Sequence, residues 1–153
     1  MPETIAILGA GSWGSALAIH LSRVGHSVHL WARDPGLVRE MVERRANLRY
    51  LPEVPLPERV TPVARYQAAL HDAKIVVFAV PSHGLRAVAR AAAPSIAPTA
   101  VLVSATKGLE TDTLRRMSQV LQEEADSARA VVVLSGPSFA AEVARALPTA
   151  VLS

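Results

Sequence analysis

The stretch Ile5-Ala6-Ile7-Leu8-Gly9-Ala10-Gly11-Ser12-Trp13-Gly14 decides the fold. An apolar run leads directly into glycines spaced G-x-G-x-x-G, and a helical pattern follows, with Trp13, Ala16, Leu17, Leu21 and Val24 on the i, i+3, i+4 series. In that context each glycine has its own task. Gly9 permits a tight turn, Gly11 lets the backbone approach a pyrophosphate, and Gly14 lets the helix pack closely on the strand. The first N–H groups of the helix and the positive end of its dipole then face the phosphates. The expectation is a dinucleotide-binding turn.

Working outward, a chain of 153 residues is long enough for one ordinary domain with its own core. Half of the residues are hydrophobic but only 4% are aromatic, so Ala, Val and Leu must build that core. This suits parallel strands buried on both faces and argues against disorder. There is no cysteine, which excludes a disulfide framework and thiolate-held metal and fits a reducing, cytoplasmic setting. The net charge of +3 arises from sixteen Lys and Arg dispersed among thirteen acids, with no basic run longer than two residues. Affinity for phosphorylated small molecules accounts for that sign without nucleic acid. Met1-Pro2-Glu3 leads straight into a strand, so no signal peptide is expected, and runs such as Ile75 to Pro81 are too short for membrane insertion.

Strand and helix patterns alternate along most of the chain. Strands are expected near 4–8, 28–31, 74–80, 100–104 and 130–135, with a shorter one near 60–63 and a last one beginning near 149. Helices are expected near 12–24, 35–46, 84–92, 112–125 and 138–145. The runs Ile75 to Val80 and Val131 to Leu134 are continuous rather than alternating, as buried parallel strands require. The fold class that follows is α/β, a doubly wound, mainly parallel sheet of the Rossmann type, forming a single domain over residues 1–153 with strand order 3-2-1-4-5-6. Leu48 to Pro62 holds four of the eleven prolines and reads as an extended connection. The closing Pro148-Thr149-Ala150-Val151-Leu152-Ser153 reads as an entering strand, so the chain is expected to be the front part of a longer protein.

In such a sheet, ligands lie outside the carboxyl ends of the strands. The second strand ends Trp31-Ala32-Arg33-Asp34-Pro35, and Asp34 stands twenty residues past Gly14, the spacing of an NAD-selecting acid. Asp34 before Pro35 is also a good N-cap with proline at the first helical position, which leaves Arg33 to meet an adenosine 2′-phosphate. Acceptance of NADP is therefore preferred over NAD. Val80-Pro81-Ser82-His83 should border the cofactor, with Pro81 in contact and His83 a capping or surface residue rather than an acid–base group. The histidines show no metal-ligand spacing, and no metal site is expected. Lys107, in Thr106-Lys107-Gly108, can carry an ammonium into the central crevice to bind a carbonyl, hydroxyl or phosphate oxygen. In Ser135-Gly136-Pro137-Ser138, Gly136 allows close approach of a ligand and Ser138 offers a helix cap or a ligand contact.

Six motifs taken in order carry a resemblance: Gly-Ala-Gly-Ser-Trp-Gly at 9–14, Leu-Trp-Ala-Arg at 30–33, Asn-Leu-Arg-Tyr-Leu-Pro at 47–52, Val-Pro-Ser-His at 80–83, Thr-Lys-Gly-Leu-Glu at 106–110 and Ser-Gly-Pro-Ser-Phe-Ala at 135–140. Over essentially its whole length the chain resembles the N-terminal, NAD(P)-binding domain of bacterial NAD(P)-dependent glycerol-3-phosphate dehydrogenases. The resemblance implies hydride transfer between nicotinamide and the pair sn-glycerol 3-phosphate and dihydroxyacetone phosphate, supplying phospholipid backbones. It implies that Ser12, Trp13, Arg33 and Ala140 contact NAD(P)H, that Lys107 contacts cofactor and substrate, and that Gly136 and Ser138 lie on the glycerol phosphate side. The family's general-base lysine stands in a Lys-Asn motif opening a helical second domain, and no such motif occurs here. No catalytic residue is therefore expected in this chain, and alone it should bind NAD(P)H without turnover; the full-length protein is expected to be a cytoplasmic homodimer. Two alternatives share the first motif: a related two-domain enzyme of the 3-hydroxyacyl-CoA or UDP-sugar dehydrogenase type, and a non-catalytic nucleotide-sensing module.

Overall fold

Along β1 (Thr4–Leu8), Ile5 and Ile7 enter one core cluster while Ala6 and Leu8 enter the other. A strand segment buried on both faces must be apolar throughout, and Ile5 to Leu8 is, after the partly buried Thr4. The computed structural model describes residues 1–125 and 130–153. Among them, six parallel strands form one sheet: β1, β2 (Ser27–Trp31), β5 (Val60–Val63), β6 (Ile75–Phe78), β7 (Val101–Ser104) and β8 (Val131–Val133), in the order β5-β2-β1-β6-β7-β8. That is the expected 3-2-1-4-5-6 order, and register follows it, with Leu8 level with Trp31 on one side and Phe78 on the other.

Two helix layers cover the sheet. Helices α1 (Ser12–Arg23), α2 (Pro35–Arg44) and α6 (Ala140–Ala144) pack on the Ile5/Ile7 face through Ala16, Ile19, Met41 and Val143. Helices α3 (Tyr66–Leu70), α4 (Ser82–Ala92) and α5 (Met117–Ala125) pack on the Ala6/Leu8 face through Leu70, Leu85, Ala89 and Leu121, around fully buried Phe78. Burying each of the larger side chains among these is worth roughly 1.5–3 kcal/mol, and each alanine methyl less.

The Pro-rich stretch departs from its sequence reading. It is not a plain extended connection: β3 (Ala46–Asn47) and β4 (Leu51–Pro55) pair antiparallel, and Leu51, Val54 and Leu56 point into the core. Arg45 makes the turn possible. Its left-handed backbone (φ 50°) ends α2 one residue before the strand, so that helix stops at Arg44 rather than at 46. The Arg45 side chain then donates to the carbonyls of Leu56 and Val60, at 3.2 and 3.1 Å.

Other boundaries move for local reasons. Val24 is 60% exposed and lies beyond the α1 core stripe. The helix expected from 112 begins only at Met117, because residues 109–116 close on themselves through a Leu109–Arg116 bridge, with Leu114 at φ 56°. Helix α3 carries no expectation at all; at five residues it is too short to show a period. The strand expected from 149 is reduced to one antiparallel bridge between Ser135 and Leu152.

Candidate functional site

Because all six strands run parallel, the turns after β1, β2, β6, β7 and β8 gather on one edge of the sheet. There a cleft of about 550 Å³ opens, lined by Gly9, Gly11, Arg33, Arg49, Tyr50, Tyr66 and Pro81 among others. The three glycines meet different constraints. Gly9 has φ 125°, and a Cβ there would stand 2.5 Å from the Ala79 carbonyl oxygen; at Gly14 it would stand 1.8 Å from that of Gly9. At Gly11 a Cβ would meet nothing within 4 Å, so the space above it is open. Gly11 is also the N-cap of α1 and supplies no side-chain acceptor. The first turn of that helix thus keeps N–H groups directed at the cleft, the arrangement an anion needs.

Asn47 holds this turn in place. Fully buried at the end of β3, it donates from Nδ2 to the Ala10 carbonyl and to Ser15 Oγ, each at 2.8 Å, and its Oδ1 accepts from Tyr50 N at 3.2 Å. The hairpin tip is thereby laid over the glycine turn, where the Ser12 hydroxyl donates to the Tyr50 carbonyl at 2.7 Å. Asn47 belonged to a resemblance motif but carried no expected role. Its acceptors lie 37 and 32 positions away, and no local pattern marks it as buried.

At the end of β2, Asp34 caps α2 as expected, with Oδ1 accepting from Gly36 N at 2.8 Å. Its Oδ2 accepts from the Arg49 guanidinium at 3.0 Å, and these two contacts hold the carboxyl below the usual carboxylate range. Both oxygens are therefore engaged. Arg33 is exposed on the cleft beside Tyr66, whose ring stacks on Trp31 at 4.6 Å between centroids. Burial pushes the Tyr66 phenol up, and Arg33 opposes that shift. Pro81 serves as N-cap residue of α4, and exposed His83 lines the cleft in the first turn.

On the other side of the glycine turn, the Lys107 ammonium lies 5.8 Å from the centre of the Trp13 ring and donates to the Gly136 carbonyl at 3.1 Å. Gly136 also has a structural reason to be glycine. At φ 131°, a Cβ on it would stand 2.9 Å from the Ala150 carbonyl oxygen, so the glycine admits the returning 150–152 segment. Ser138 is not the helix cap. Phe139 takes the N-cap position of α6 without a side-chain bond, and the Ser138 hydroxyl turns back to Gly136 O at 3.5 Å. Ala140 opens α6, partly buried against the cluster that holds Trp13.

The segment after Lys107 is clamped by ions. Glu110 receives a two-pronged contact from Arg86 of α4, Nε to Oε1 at 2.7 Å and Nη2 to Oε2 at 2.8 Å. Arg86 also reaches Glu123 and Glu124 of α5, and Arg90 engages Glu124. Arg86 first, with Thr113, holds the Glu110 carboxyl down to about 2. A second groove, about 490 Å³, runs between α1 and α6 and is aliphatic apart from Trp13, His20 and Thr149. Among the described residues no group of three His, Cys, Asp or Glu could hold a metal ion, and no helix is long and apolar enough to cross a membrane.

A glycine turn under a helix N-terminus, opening on the carboxyl edge of a 3-2-1-4-5-6 sheet, defines a Rossmann dinucleotide-binding domain. The profile described as "NAD-dependent glycerol-3-phosphate dehydrogenase N-terminus" matches residues 4–153, and the chain belongs to that family. It is 49% identical over 152 residues to the glycerol-3-phosphate dehydrogenase (NAD(P)+) of Moorella thermoacetica, covering 99% of this chain and 45% of that protein. With the enzyme of the same name from Thioalkalivibrio sulfidiphilus it shares 48% identity over 146 residues, covering 95% of this chain and 44% of the relative. The crystal structure of glycerol-3-phosphate dehydrogenase from Coxiella burnetii superposes with a TM-score of 0.92 at 39% identity, covering 98% of this chain and 46% of that one. The chain thus spans a little under half the length of these relatives. A UDP-D-ManNAc dehydrogenase from Pyrococcus horikoshii, a representative of the UDP-sugar alternative, shares the fold alone, at 16% identity and a TM-score of 0.75.

Proposed function

We propose that this chain is the cofactor-binding half of an enzyme that interconverts sn-glycerol 3-phosphate and dihydroxyacetone phosphate by hydride transfer. The observation that carries the reading is the Lys107 ammonium, set between the Trp13 ring beside the glycine turn and the Gly136 carbonyl. One cation there serves both the dinucleotide turn and the Gly136–Ser138 segment. The glycine turn fits a dinucleotide, since the space over Gly11 is open and the helix start has no side-chain cap. When bound, the nicotinamide supplies or accepts the hydride.

The residues then divide the work. Gly11, Ser12 and Trp13 offer backbone N–H groups to the diphosphate, while Gly9 and Gly14 let α1 approach it. Pro81 and Ala140 border the cofactor from the two flanks. Lys107, with Gly136 and Ser138, binds the oxygen functions of the substrate. NADP is preferred over NAD in this reading. Both oxygens of Asp34 are engaged by Gly36 and Arg49, so no free carboxylate offers itself to a ribose 2′-hydroxyl, whereas Arg33 and Arg49 line the same cleft.

Only two lysines occur in the chain, Lys107 and Lys74, and Lys74 stands at the opposite end of β6. The general base is assigned to the portion by which the relatives exceed this domain, so the chain alone binds cofactor without turning over. Titrating the purified chain with NADPH by nicotinamide fluorescence tests the first half, and steady-state reduction of dihydroxyacetone phosphate tests the second. Saturable binding with no turnover is expected. Absence of binding overturns the cofactor assignment, and steady turnover overturns the assignment of the base elsewhere.

A further inference from the structure

The two contacts of Lys107 described above, the Trp13 ring and the Gly136 carbonyl, are both on partly buried residues. Lys107 itself is exposed, extends from a turn, and its first neighbour, Gly108, has φ 101°. A lysine on a four-carbon stem after a glycine would ordinarily sample many positions, at a side-chain entropy of about 2 kcal/mol. The segment that follows is built in the opposite manner. Glu110 N donates to Arg115 O at 2.9 Å, Leu114 N donates to Glu110 O at 2.8 Å, and Leu109 bridges Arg116. Both backbone groups of Glu110 are thus used inside the loop, and its carboxylate is used outside it, on the Arg86 fork. Arg86 in turn is fixed by two carboxylates of α5, and its side chain is only 26% exposed, against 14% for Glu110. Arg115 reaches Glu123 as well.

The consequence is mechanical. Helix α4 starts at the cleft, where its cap Pro81 and its first-turn residues His83 and Gly84 form part of the wall, and the Ser82 side chain bounds the space beside Gly108, 3.6 Å from where a Cβ on that glycine would stand. The Arg86–Glu110 fork therefore ties the Lys107 turn to the same helix whose first residues wall the cleft. We propose that Arg86 and Glu110 are positioning residues for Lys107: the fork sets where its ammonium stands relative to Trp13 and Gly136. Neither touches the cleft itself; neither is among its lining residues. The proposal rests on the reading of Lys107 as a cofactor contact.

A bidentate guanidinium–carboxylate pair suits this task better than a Lys–Glu pair, because two parallel bonds fix orientation as well as distance. The fork also contributes to stability, so affinity is compared at temperatures where every variant is fully folded. A double-mutant cycle on NADPH affinity tests it, with the 153-residue chain and nicotinamide fluorescence as the readout. Lys107→Ala should weaken binding roughly tenfold and Glu110→Gln about three- to fivefold, within the range of coupling between linked groups. In the Lys107→Ala background, Glu110→Gln should have no further effect. Arg86→Lys keeps the charge and loses the fork; it should fold and reproduce most of the Glu110→Gln loss. Arg90→Ala removes a member of the same network that does not touch the loop, and it should leave affinity unchanged.

The outcomes separate the two ideas. If Lys107→Ala leaves NADPH affinity intact, the cofactor reading of Lys107 falls, and the positioning role with it. If Lys107→Ala weakens binding but Glu110→Gln does not, or loses the same factor again on top of Lys107→Ala, the reading stands and the positioning role is overturned. A loss in Arg90→Ala equal to that in Glu110→Gln also overturns it, since the cause is then loosening of α4 against α5.

Discussion

Asn47 Nδ2 stands 2.8 Å from the carbonyl oxygen of Ala10, joining the β3–β4 hairpin to the middle of the glycine turn. Ala10 lies between the two glycines that shape the turn, so this bond fixes the carbonyl whose orientation decides which way the neighbouring N–H groups point. A fully buried amide with all of its polar atoms paired is rigid, and here that rigidity is delivered to the binding turn.

Replacing Asn47 by Leu should therefore affect stability and affinity together. Ala10 O and Ser15 Oγ would lose their donor, at a cost of about 1–3 kcal/mol for each buried group left unpaired. Thermal unfolding should shift down by several degrees, and NADPH affinity should fall at temperatures where the variant is fully folded. Unchanged affinity in a folded Asn47→Leu chain would show that the turn holds its shape unaided.

Gly11 and Gly14 make a contrasting pair. Gly14→Ala forces a Cβ into the Gly9 carbonyl, whose oxygen would be 1.8 Å away, and the chain should fail to fold or lose more than the roughly 1–3 kcal/mol typical of overpacking. Gly11→Ala meets open space and should fold nearly as well as the parent, yet bind NADPH at least about tenfold more weakly because its methyl occupies the room reserved for phosphate. Urea unfolding alongside nicotinamide fluorescence measures both. A Gly11→Ala chain that binds normally would place the diphosphate elsewhere.

Cofactor choice is separable from cofactor binding. Arg33→Ala should weaken NADPH by about an order of magnitude while changing NADH little, as expected for a lost charge-assisted contact to a 2′-phosphate. Equal losses for the two cofactors would reject that role. Arg49→Ala frees Asp34 Oδ2 as well as removing a cation, and should shift the ratio toward NADH.

The Arg86–Glu110 fork also makes acid stability predictable in sign. In the folded chain Glu110 stays ionised down to about 2, whereas the unfolded chain takes up that proton near the ordinary glutamate value of about 4.3. Between those values the unfolded state binds more protons, so stability present above pH ~4.5 is lost as pH falls toward ~2. Asp34 and Glu124 are lowered too and add in the same direction. Urea midpoints across this range should fall with pH, and less steeply in Glu110→Gln. Parallel pH profiles for the two chains would contradict the assignment.

Much of this was legible from the residues. Ile5 to Leu8 and Ile75 to Phe78 are apolar at every position because both faces of each strand are buried, and that periodicity survives in sequence whatever covers the faces. Asp34-Pro35 announced its cap because the bond spans only two residues. The hairpin at 46–55 was hidden for the opposite reason: prolines at 52 and 55 read as breakers, the buried Leu51 and Val54 stand three positions apart rather than alternating, and only the surrounding core shows that both are covered.

By itself, the sequence determined the strand–glycine–helix unit, the parallel sheet, the Asp34 cap and the set of residues at the strand ends, because each depends on neighbours a few positions apart. The tertiary structure alone decided what those residues do to one another. Asn47 to Ala10 spans 37 positions, Lys107 to Gly136 spans 29, and Arg86 to Glu110 spans 24. It also gave Gly136 a further reason to be glycine, the returning chain at Ala150. Contacts across such separations depend on how the layers pack, and hydrophobic periodicity carries no information about which polar groups that packing will bring together.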